Sequence, residues 1–286
     1  MRFDRVIVAD WSASSAVGPR RPSPDRCWLA FADADDRPGR RPPPEYFRTR
    51  HDCEARLARL ATEFPGSVLL ALDFAIGYPG TPDDRPVLPT GRELCARLHE
   101  LVEDAPDASN NRFEVASRLN RTIRERTGGE SGPFWGHPPG RSYPDLPFRK
   151  PAQRSHRCRE YRAVETSLRA NGRLVQSPWK LAGAAAVGSQ SLLGLAAVHR
   201  LLERAGDRGV LWPYEHADEA PARNAVVLGE CWPSVADADS VDHPVKDARQ
   251  VVALRDRLLH AGDGPERLRV SHPGARTEGW ILGVPG

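Results

Sequence analysis

The sequence has few lysines, no paired cysteines and no long apolar run. Its five cysteines, Cys27, Cys53, Cys95, Cys158 and Cys231, are scattered, odd in number and never in a C-x-x-C pair. That excludes a zinc knuckle of paired cysteines, argues against a disulfide framework, and points to a reducing, cytoplasmic compartment. No stretch approaches the roughly 20 apolar residues of a membrane helix, and the start of the chain lacks the charged-then-apolar pattern of a signal peptide. A cytoplasmic protein with no membrane partner is therefore expected. The histidines show no metal-ligand spacing, and no internal repeat or low-complexity tract is present. Lysine occurs only at 150, 180 and 246. Arginine supplies the rest of the positive charge, a bias that read globally is ordinary compositional drift.

What remains is the composition of a soluble globular chain, 40% hydrophobic and 28% charged over 286 residues. That length suits one large domain. The net charge of +3 is unevenly placed. Between Asn110 and Arg162 twelve Arg and Lys face five Asp and Glu, a local +7, which leaves −4 for the remainder. Such an excess points to a polyanionic partner, a nucleic acid or another phosphate-bearing substrate. The oligomeric state is not encoded in any feature of this kind.

The first third reads as strands followed by a helix. RVIVAD (5–10), CWLAFAD (27–33) and EYFRT (45–49) have strand character, and DCEARLARLATEF (52–64) carries a helical apolar stripe with Asp52 as its expected N-cap. SVLLALDF (67–74) suits a central strand buried on both faces. From about 77 to 180 the rhythm is lost among prolines and glycines, with helices expected at 92–103 and 111–127, so this segment reads as an insertion forming one wall of a cleft. The rhythm returns with a helix over 188–206 capped by Ser189, a buried strand in AVVLGECWP (225–233), and an amphipathic helix over 246–262 ending at Gly262.

Three apolar strands thus end in acids, Asp10, Asp73 and Glu230, and Asp247 opens the last helix. Each acid alone has an ordinary reading as a helix cap or turn residue, and Asp247 as a first-turn acid favoured by the helix dipole. Jointly they predict convergence at one sheet edge. Like charges held together in an apolar setting require a cation, and hard oxygen ligands suit Mg²⁺ or Mn²⁺. The expected site is therefore a divalent-metal site of Asp10, Asp73, Glu230 and Asp247, suited to phosphodiester displacement. The element order resembles the RNase H-like fold: an α/β architecture with a mixed five-stranded sheet flanked by helices and a large insertion after the fourth strand.

The chain is similar to the RNase H-like predicted nucleases of the domain-of-unknown-function 429 type, in particular a bacterial subgroup sometimes labelled cobalamin biosynthesis proteins. The resemblance spans nearly the whole chain as a single domain. It is carried by VADWSAS (8–14), CWLA (27–30), LDFAIGYP (72–79), NNRFEVASRLN (110–120), GPFWGHPP (132–139), AAAVGSQSLLG (184–194), GECWPS (229–234), KDARQV (246–251) and EGWILGV (278–284). These motifs specify the family; the activity it implies, a metal-dependent nuclease, is an expectation.

Other residues suit substrate contacts. Asn111, Arg112, Glu114 and Arg118 can form a phosphate clamp or a solvated helix face tied by a Glu114–Arg118 pair. Ser189 and Gln190 sit where helix N-terminal amides meet a phosphate. Trp135 and His137 can stack on a base or pin their loop to the core, and Lys246 can hold a phosphate or be an ordinary helix-start lysine. Two other readings stay open: an actin-like ATP-dependent kinase or hydrolase, against which the glycine-poor DWSASS counts, and a non-catalytic binding protein that keeps the fold.

Overall fold

The computed structural model describes residues 3–215, 224–260 and 268–286. The expected helix end at Gly262 lies outside them. Six strands form one mixed sheet: β1 (Arg5–Asp10), β2 (Cys27–Asp33), β3 (Glu45–Phe47), β4 (Val68–Asp73), β5 (Gly209–Leu211) and β6 (Val226–Glu230), in the order β3-β2-β1-β4-β6-β5. β2 runs antiparallel to both β1 and β3, whereas β1, β4, β6 and β5 are mutually parallel. The fold is α/β, with six strands where five were expected. The addition is β5, three residues between a glycine-led turn and Trp212–Pro213, too short to show a period.

Eight helices flank this sheet among the described residues: α1 (Arg50–Thr62), α2 (Gly91–Leu101), α3 (Arg112–Thr127), α4 (Gln153–His156), α5 (Ala163–Ala170), α6 (Gly188–Ala205), α7 (Lys246–His260) and α8 (Ala275–Glu278). Successive strand side chains point to opposite faces, and two cores follow. Ile7, Ala9, Leu70, Leu72 and Leu228 pack with α1, α2, α3 and α6, and the same cluster takes in Phe134 and Trp179 from the irregular insertion. Val6, Val8, Leu69, Ala71 and Val227 pack with α5, α7 and the Trp280–Leu282 segment. Burial on both sides explains why β4 reads as an unbroken apolar run. No helix among the described residues is long and apolar enough to cross a membrane, and all five cysteines are buried and free.

Two caps differ from expectation. Thr49, not Asp52, caps α1: its hydroxyl accepts from the Asp52 amide (3.1 Å) and donates to the Asp52 carboxylate (2.7 Å). Ser189 does not cap α6. The preceding chain folds back so that the Gly188 amide donates to the Lys180 carbonyl, and the Ser189 hydroxyl is drawn to the Leu181 carbonyl (2.7 Å). α6 crosses the sheet closely at Gly194, where an added Cβ would stand 2.5 Å from the Phe74 ring. Gly194→Ala should therefore lower stability by about 1–3 kcal/mol, the usual cost of overpacking, seen as a lower urea midpoint.

Candidate active site

The carboxyl ends of the parallel strands form the floor of the site. β1 and β4 are paired in register with Asp10 opposite Asp73, and Glu230 lies one step away opposite Leu72. The three strand-end acids therefore do share one sheet edge. Each of the two aspartates is followed by an aromatic residue, and Trp11 and Phe74 meet edge to face, 6.0 Å apart, among the buried residues. Asp247, second residue of α7, is held to the β1–β2 connection, where its Oδ2 accepts the Asp25 amide (2.8 Å). Asp25 itself adopts a left-handed backbone, φ 57°.

Burial is the main cause of the electrostatics here. It pushes the Asp10 carboxyl well above the usual range, and the charges of Asp73 and Asp247 push it further. Asp73 is raised to about 7 by burial, then by Glu230 and Asp247. Asp247 is also raised by burial, against the Asp25 amide, which favours its charged form. Among the described residues neither Asp10 nor Asp73 has a hydrogen-bond donor or an ion-pair partner on its carboxylate. Two desolvated carboxylates therefore face each other with nothing to neutralise them.

Glu230 is different. Arg162 donates to both its oxygens (2.6 and 2.7 Å), and the Ile76 amide adds a third bond (3.1 Å). The same guanidinium binds Glu165 (2.8 and 2.9 Å) and the Glu278 carbonyl (3.2 Å), and Arg162 has no solvent exposure. An arginine thus occupies the carboxylate expected to bind a cation, and the four-ligand set is reduced by one. Among the described residues no three His, Cys, Asp or Glu side chains are grouped to hold an ion. The donors that fit a hard divalent ion are the unpartnered pair Asp10 and Asp73, flanked by Asp247. Arg162 escaped sequence reading; its one local signal is Glu165 three residues on, which completes a capping box at the start of α5.

A cleft over Asp73 and Glu230 holds about 500 Å³ and is lined by these two acids, Gln190, Leu174, Trp232 and the 183–187 turn, among others. Three of the expected substrate residues gather beside it. Gln190 Nε2 donates to the Trp11 carbonyl (2.5 Å), directly after Asp10. Arg112 donates to the hydroxyls of Ser189 (3.0 Å) and Ser15 (2.6 Å) and to Asn110 Oδ1 (2.7 Å), and burial, with Arg50 nearby, lowers its pKa to about 10. Arg50, also missed in the sequence, is buried and grips the carbonyls of Ser12 (3.1 Å), Ser14 (2.6 Å) and Ala108 (3.0 Å) together with Asp104, which fixes the loop after Asp10.

The other expected residues serve elsewhere. Asn111 bridges the α2–α3 connection, accepting from the Glu103 amide and donating to the Leu101 carbonyl. Glu114 and Arg118 are exposed on the outer face of α3 and form no pair with each other. Trp135 is tied by its backbone to Trp179 and Leu181, and His137 is buried against Tyr143 and Phe148; neither lines the cleft. Lys246 is exposed at the first position of α7. No protein-family model, curated protein or solved structure matches this chain.

Two measurements follow from this geometry. Arg162→Ala leaves Glu165 and Glu230 buried without a cation and should cost about 3–5 kcal/mol, read as a fall in the urea midpoint. Asp73, raised to about 7 when folded, favours the folded state while protonated and loses that contribution as pH rises from about 4 through 7. Asp73→Asn should therefore gain stability relative to the parent chain across that window, with the difference level above about pH 8. A difference independent of pH between 4 and 8 would refute the shift.

Proposed function

We propose that this chain has an RNase H-like fold and is a divalent-metal-dependent phosphodiester hydrolase acting on a nucleic acid or nucleotide. The observation that carries the reading is the in-register pair Asp10 and Asp73, desolvated, mutually repelling and without a partner among the described residues, with Asp73 lining a cleft. Carboxylates so placed are costly unless they meet a cation or do chemistry. Three strands, a helix, and then a strand bringing Asp73 beside Asp10 support the fold assignment.

Asp10 and Asp73 would hold Mg²⁺ or Mn²⁺, with Asp247 beside them. An ion there supplies positive charge against a phosphodiester and makes water more acidic. The protein's own residues do the rest. The 183–187 turn and the start of α6 line the same cleft, and helix N-terminal amides suit a phosphate. Gln190 keeps that helix start against the chain after Asp10. Arg112 acts as a positioning residue, tying Ser15 of the β1–β2 connection to Ser189 at the start of α6. Leu174, 86% exposed, and Trp232 give the cleft an apolar wall against which a sugar or base can rest. Glu230, paired with Arg162 and bonded to the Ile76 amide, braces the floor.

Calorimetric titration with Mg²⁺ and Mn²⁺ tests the reading. Binding should weaken by more than about ten-fold in Asp10→Asn, a loss that even an outer-shell change can produce, and metal-dependent cleavage of a single-stranded oligonucleotide should fall with it. A folded parent chain that binds neither ion would sink the proposal.

A further inference from the structure

A second concavity, larger than the acidic cleft, lies elsewhere on the described residues. About 1250 Å³ opens between the 81–90 loop, the C-terminal end of α3 and α4, and it shares no lining residue with the cleft over Asp73. At 1.5 Å per residue, Arg126 lies about 21 Å along α3 from Arg112. The loop is internally tied. The Thr81 hydroxyl donates to Asp83 (2.6 Å) and accepts the Arg85 amide (3.1 Å), while the Thr81 amide donates to the Arg85 carbonyl (2.9 Å). Pro82, Pro86 and Pro89 supply apolar lining, with Val87, Leu88 and Cys158 buried behind them.

Three guanidinium groups line this space without a carboxylate partner among the described residues. Arg126 donates only to the Val87 carbonyl (3.2 Å) and Arg157 only to the Thr127 carbonyl (3.4 Å), while Arg154 has no side-chain partner. The charge of Arg85 is met by Asp83 (2.7 Å), and Glu93 is the one unpaired acid of the lining. The lining therefore carries an unbalanced charge of about +2 by this pairing.

We propose that this concavity is a binding site for a small organic phosphate of the nucleoside diphosphate class, independent of the acidic pair. Guanidinium forks match phosphate oxygens, and three of them lining one space, from α3, α4 and the residue after α4, suit an anion with several oxygens. The apolar surface and the volume suit a ligand with a planar or apolar body; a bare inorganic ion would leave both unused. Asp83 and Glu93 in the lining oppose an extended nucleic-acid strand, which would have to pass them.

ADP, titrated calorimetrically in EDTA, is the probe. The parent chain should bind ADP more tightly than inorganic pyrophosphate. The exposed-site double variant Arg126→Ala/Arg154→Ala should weaken ADP binding by about ten-fold or more, the loss of charge-assisted hydrogen bonds. Asp10→Asn should bind ADP like the parent, so this site is tested apart from the proposed hydrolase site. No ADP binding by the folded parent, equal binding by the double variant, or displacement of ADP by a single-stranded oligonucleotide at about a hundred-fold lower concentration would each overturn the assignment.

Discussion

Arg162 is fully buried, and its guanidinium is shared by three parts of the chain that are distant in sequence. It takes Glu230 from the end of β6, Glu165 from the first turn of α5, and the Glu278 carbonyl from α8. A buried carboxylate without a cation is among the costlier things a fold can contain. Here two such carboxylates are accommodated by one planar fork, and the irregular insertion is thereby fastened to the working edge of the sheet. Glu278 extends the same joint: its carboxylate accepts from the amides of Gly80 (2.8 Å) and Ala163 (2.9 Å) and from Arg159.

The same device recurs. Arg50 is 3% exposed and gathers three carbonyls and Asp104, Arg255 takes carbonyls of Phe31 and Pro42, and Arg208 takes those of Thr62, Phe64 and Gly66. Loops rich in proline and glycine cannot satisfy their carbonyls in ladders. A long side chain with five donors in fixed geometry reaches several of them at once, which an ammonium on a flexible stem does less well. The abundance of arginine, which reads in the sequence as drift, therefore has a structural component at these positions.

With Arg162 bonded to Glu230, the acids at the sheet edge without a cation partner among the described residues are Asp10, Asp73 and the nearby Asp247. That contrast between one acid with a partner and two without is the physical basis of the proposed hydrolase reading. The aromatic pair Trp11 and Phe74 and the close crossing at Gly194 seat both aspartates on a rigid base. Arg112 and Gln190 then hold the surrounding loops to α6.

Much of the frame was legible in the sequence. Five of the six strands, the long helices and the common edge of the three acids follow from apolar runs and their ends, because an apolar run has to be buried and a polar residue at its end marks where the chain leaves the core. Residues 110–121 were legible as a helix start with arginines, yet their roles were not: Arg112 turns toward Ser15 and Ser189 of α6 while Arg118 and Glu114 face solvent. The sequence by itself determined which acids reach the sheet edge, since strand direction and length place them there. Only the tertiary structure decided which acid is paired with a cation. The partner of Glu230 is an arginine 68 residues away, in a segment without periodicity, and no local pattern encodes an encounter made by folding alone.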